Sequence, residues 1–143
     1  MRLQHPLLVL ALAGATACGT PTNGPQMMPG SNCMTCHAEG GTSSHAWTVA
    51  GTVFNGPKGS SALLVYGAQV QVTDANGTEL TLGTNGAGNF YTAEPLAFPI
   101  QVAVQYGDKV MKMQQAPPNG SCNSCHSGNG LNGASGELYV PTN

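Results

Sequence analysis

Charge is scarce in this chain: 7% of its 143 residues are Asp, Glu, Lys or Arg, six acids against four bases. The net charge of −2 excludes an electrostatic face for nucleic acid, which requires clustered Lys and Arg. Large aromatics are also few, with one Trp and three Phe, so the core must be built mainly from aliphatic side chains. Long apolar runs are missing except near the N-terminus, where residues 7–13 are too few to span a bilayer. No stretch of about twelve residues repeats with helical period, which excludes a helical bundle.

What is present is turn chemistry. Twenty Gly and ten Pro, interleaved with Thr, Asn and Ser, break the chain into short segments. Residues 47–54, 67–73, 79–82, 90–92, 99–105, 110–114 and 137–140 read as strands. In two of them the alternation is clear: Ala68, Val70 and Val72 share one face, and so do Ile100, Val102 and Val104. Asp74-Ala-Asn-Gly77 and Asn85-Gly-Ala-Gly-Asn89 are turns between them. The expected fold is all-β, a small sandwich, with short helical turns only at two cysteine motifs.

The N-terminus reads as an export signal over residues 1–17: Arg2, then the apolar run, then Gly14-Ala-Thr-Ala17 ahead of Cys18. That ending resembles a bacterial lipobox, with Ala15 where Leu is usual, and the resemblance implies lipidation of Cys18. An ordinary cleavage site after Ala17, leaving a free thiol, is the alternative. Residues 18–32 carry several prolines and no periodicity, which is the composition of a tether. Met27 and Met28 lie within it, either as surface decoration or as haem ligands. The remaining residues, 33–143, form one domain.

All four cysteines beyond Cys18 fall in two copies of one pattern, Cys33-Met34-Thr35-Cys36-His37 and Cys122-Asn123-Ser124-Cys125-His126. In an exported chain CxxCH is the signature of covalent c-type haem attachment. Two thiols on one helical turn add to the two vinyl groups of one haem, and the following histidine, His37 or His126, offers its imidazole to the iron. Two disulfides or a four-cysteine zinc site compete with this reading, but neither needs a histidine after each pair. The expectation is therefore two c-type haems clamped by Cys33, Cys36, Cys122 and Cys125. His45, the one other histidine beyond the signal, is the candidate sixth ligand. Met111 and Met113 are candidates for the second iron, with core packing as their alternative role.

Between the motifs, Val49-Ala-Gly-Thr-Val-Phe54, Gly67-Ala-Gln-Val-Gln-Val-Thr-Asp74 and Gly88-Asn-Phe-Tyr91 resemble the carboxypeptidase-regulatory-like (prealbumin-like) β-sandwich. The resemblance covers roughly residues 48–105 and implies a Greek-key, Ig-like sandwich without catalytic residues. Parallel first and last strands, common in such sandwiches, would place the two motifs at one end; the alternative sets them at opposite ends, as in a relay between two poles. The function expected is a periplasmic or cell-surface dihaem electron carrier, held to the outer or another envelope membrane by lipid and exchanging electrons with redox partner proteins. The competing classes are a binding or structural sandwich stabilised by haem, and a small peroxidase-like dihaem enzyme. Glu39 and Glu137 are the only acids near the motifs.

Overall fold

The computed structural model describes residues 24–56 and 63–140. The expected signal and Cys18 lie outside them. Among the described residues no helix is long and apolar enough to cross a membrane.

The fold is all-β. The alternating segments pair as the valines require. β4 (Gln69–Thr73) is antiparallel to both β5 (Glu79–Gly83) and β7 (Gln101–Tyr106), and β8 (Lys109–Lys112) completes a sheet of order β5-β4-β7-β8. Register sets Val70 opposite Leu82 and Val104, and Val72 opposite Leu80 and Val102, so one face is a continuous aliphatic stripe. Ala68, Val70, Val72, Ile100, Val102 and Val104 are all buried, in keeping with their alternation. Each fully buried valine contributes about 1.5–3 kcal/mol relative to its exposed state, as an upper figure.

The second layer is built from pairs. β1 (Val49–Thr52) is antiparallel to β6 (Asn89–Thr92), and β2 (Phe54–Asn55) to β3 (Leu63–Leu64). Val53 bridges them: its N–H donates to the Gly88 carbonyl and its own carbonyl accepts from Val65. Val49, Val53, Phe90 and Val140 close the core against the four-stranded sheet. The single strand expected over 47–54 is thus two strands, and β3 is a strand that the sequence pattern does not assign.

Turns form where expected. The Asp74 carboxylate accepts from the backbone N–H groups of Asn76 and Thr78 (2.8 Å each) and of Ala97 (3.1 Å). These bonds, Ala97 first, hold its pKa below the ordinary value. Asn85 repeats the device, its Oδ1 accepting from Ala87 and Asn89.

The C-terminal segment forms isolated bridges rather than the expected strand. Ser121 bridges Ala50, and Tyr139 bridges Phe54, both in parallel. Both run beside the first strands, so the segments carrying the two motifs meet on one edge of the second layer.

Candidate functional site

Each CxxCH folds as a single helical turn, α1 (Met34–His37) and α2 (Cys122–Cys125). Neither has the length to be stable alone. A returning loop on the C-terminal side holds each one in place. After α1 the chain turns back on Gly40, at φ 74°, and Gly41 packs so closely that a Cβ there would collide with the Cys36 carbonyl. This return brings the His45 carbonyl to 2.7 Å from His37 Nδ1. After α2 a second glycine-rich return brings the Gly136 carbonyl to 2.9 Å from His126 Nδ1.

The two returns solve one problem twice. A carbonyl only accepts, so each Nδ1 must carry the proton, and in the neutral ring Nε2 is left with a free lone pair. This is the arrangement that orients an imidazole toward a metal. At His126 the consequence is visible, because its Nε2 is buried and has no hydrogen-bond partner. A buried, unpartnered imidazole nitrogen costs free energy unless something binds it. The residues therefore fit a haem at this motif: His126 would ligate the iron, Cys122 and Cys125 would hold the ring, and the group would supply one-electron redox chemistry.

At the first motif the fit takes another form. Cys33, Cys36 and His37 line a cavity of ≈ 230 Å³ together with Trp47, Tyr91 and Met27. The His37 ring stacks on Trp47 (centroids 3.6 Å apart, planes within 1°), and Trp47 stacks on Tyr91 (4.2 Å, 11°). The stack fixes the imidazole plane while the carbonyl of His45 fixes its rotation. Cys36 is disulfide-bonded, so its sulfur becomes available for a thioether only after reduction. Cys33, Cys122 and Cys125 are free thiols, so neither motif pairs its own two cysteines. Among the described residues no three His, Cys, Asp or Glu side chains gather as a zinc site requires.

The motifs are stitched together. Ser121 donates to Asn32 Oδ1 (2.6 Å), and Asn123 Nδ2 donates to the Ser31 carbonyl (2.9 Å) and to Thr52 Oγ1 (3.1 Å). Thr52, fully buried in β1, also accepts from Gly30 N–H and donates to Asn89 Oδ1. Burial pushes the Cys122 thiol up to about 12, and the nearby Cys33 and Cys125 thiols push the same way. Burial also raises Cys33. The second motif comes this close to β1 because Gly51 and Gly120 have no Cβ. One on Gly51 would lie 2.6 Å from the Phe90 ring and 2.9 Å from Cys122 Cβ, and one on Gly120 would overlap the Thr48 carbonyl.

The other candidates lie apart. Met113 packs on the core, and Met111 stands opposite Val104 on β8. The His45 side chain is exposed, and its main chain sits on the Nδ1 side of His37, away from Nε2. Residues 24–32, expected as tether, are docked instead: Asn89 Nδ2 donates to the Met27 carbonyl (2.9 Å) and Asn85 Nδ2 to the Pro25 carbonyl. Neither the Trp47 stack nor the carbonyl clamps are readable from the sequence. The glycines after each motif are their only signal.

No family model matches the chain, and no curated protein or solved structure shows significant similarity to it.

Proposed function

We propose that this chain is a dihaem c-type cytochrome of a bacterial envelope, built on a Greek-key, prealbumin-like sandwich and tethered by lipid at Cys18. It passes electrons between redox partner proteins and is not an enzyme. Cys33 with Cys36 holds one haem and Cys122 with Cys125 the other, and His37 and His126 are the axial ligands. The observation that carries the reading is the repeated clamp, in which two histidines after two cysteine pairs each give Nδ1–H to a main-chain carbonyl and keep Nε2 free. Hydrogen bonds joining Ser31 and Asn32 to Asn123 and Ser121 favour two haems held as neighbours, which suits rapid exchange between them. With so few charges, partners are found through the shared membrane rather than by long-range steering.

The test is the mass of the mature protein made in a host that attaches haem. Two haem adducts, mapped to the two CxxCH peptides, and an acyl group on Cys18 are expected. A bare peptide mass overturns the reading. One observation favours the peroxidase-like alternative: Glu137 Oε2 is buried without a partner, one residue beyond the Gly136 carbonyl that clamps His126. Turnover of hydrogen peroxide by the loaded protein, lost in Glu137→Gln, would move the assignment to that class.

A further inference from the structure

The segment before the first motif has no use as a tether if it is bolted down. Four separate bonds hold it: Asn85 to the Pro25 carbonyl, Asn89 to the Met27 carbonyl, Gly30 N–H to Thr52 Oγ1, and Asn123 to the Ser31 carbonyl. Between these bonds Met28 adopts a left-handed backbone, φ 43°, which a residue with a Cβ keeps only where the surroundings impose it. The turn sets Met27 and Met28 side by side on the wall of the cavity that also holds Cys33, Cys36 and His37. Met27 is half-buried there, whereas Met28 is 38% exposed.

An axial ligand opposite His37 must come from beyond Nε2. His45 is on the other side, because its own carbonyl occupies Nδ1. We propose that Met27, not His45, supplies the thioether that completes the first haem iron, and that the docked segment 24–32 exists to hold it there. This rests on the dihaem reading above. It makes the first site a His/Met centre, whose potential lies above that of a bis-histidine one.

The test is near-infrared magnetic circular dichroism of the ferric full-length holoprotein, with haem content measured by mass in the same samples. Wild type is expected to show the charge-transfer band of thioether-ligated low-spin haem. Met27→Leu, which keeps the packing volume, is expected to bind both haems but lose one haem's share of that band, and its first reduction potential falls. Met28→Leu is expected to leave band and potential unchanged, and His45→Ala, which keeps the clamping carbonyl, is expected to keep the band. The proposal is overturned by a wild type without the band, by an unchanged Met27→Leu spectrum, or by loss of the band in Met28→Leu or His45→Ala. Absence of covalent haem sinks the functional reading along with it, whereas haem with the wrong ligand sinks this proposal alone.

Discussion

The two CxxCH motifs share a sequence pattern and a clamp but not an environment. The first opens onto a cavity, with its histidine held in an aromatic stack and a methionine-bearing segment beside it. The second is pressed against β1 through two glycine contacts, its leading cysteine packed on the core and its histidine nitrogen sealed from solvent. The second motif is held by direct packing on β1, whereas the first is held by its returning loop and the aromatic stack beside the cavity. Perturbing the second should therefore cost stability, and perturbing the first should change the centre while sparing the fold.

The largest expected effect is at the contact between α2 and β1. In Gly120→Ala the new Cβ meets a main-chain carbonyl that cannot swing aside, so a loss of about 3 kcal/mol or more in denaturant unfolding is expected. In the loop after the first motif, Gly40→Ala meets no atom and bears only the cost of a left-handed backbone, about 1–2 kcal/mol. Equal losses in the two variants would break the comparison.

Next is Thr52→Val, which keeps shape but removes the hydroxyl that receives bonds from both sides. Asn123 and Gly30 lose an acceptor and Asn89 a donor in a buried setting, and about 2 kcal/mol is expected to go with them. If the proposed haems are bound and coupled through this residue, their spectroscopic coupling weakens in the same variant.

Thiol chemistry sharpens the contrast without any haem. In unloaded, reduced protein at mildly alkaline pH, Cys122 should alkylate at least about tenfold more slowly than Cys125, because burial keeps it protonated. Peptide mapping after timed alkylation reads this directly, and equal rates would show that α2 leaves β1 readily.

The smallest effect is expected far from both motifs. The backbone bonds to Asp74 depress its pKa below 3.8, so the charged form stabilises the fold above that pH. That contribution disappears as pH falls through the depressed value, when the folded state must also take up the proton. Asp74→Asn should therefore lose at neutral pH the contribution of the charge, a smaller loss than in the variants above, and flatten the acid limb of the unfolding profile.

The strands carrying Val70, Val72, Val102 and Val104 are legible in the sequence because a period of two needs only local alternation. The turns at Asp74 and Asn85 are legible because short polar side chains bond their own backbone. Leu63–Leu64 is not, since two residues carry no period and owe their pairing to Phe54 and Asn55. Segment 24–32 reads as a tether for a similar reason. Its order comes from Asn85, Asn89, Thr52 and Asn123, residues remote in the chain, and nothing within the segment announces it.

By itself the sequence determined the all-β class, the aliphatic faces, and two clusters of cysteine and histidine whose spacing is local chemistry. Only the tertiary structure decided that the clusters adjoin, which nitrogen of each imidazole is left free, and that one motif packs on β1 while the other borders a cavity. Those outcomes depend on glycines that permit contact between distant backbones and on carbonyls delivered by returning loops. Neither leaves a periodic trace along the chain.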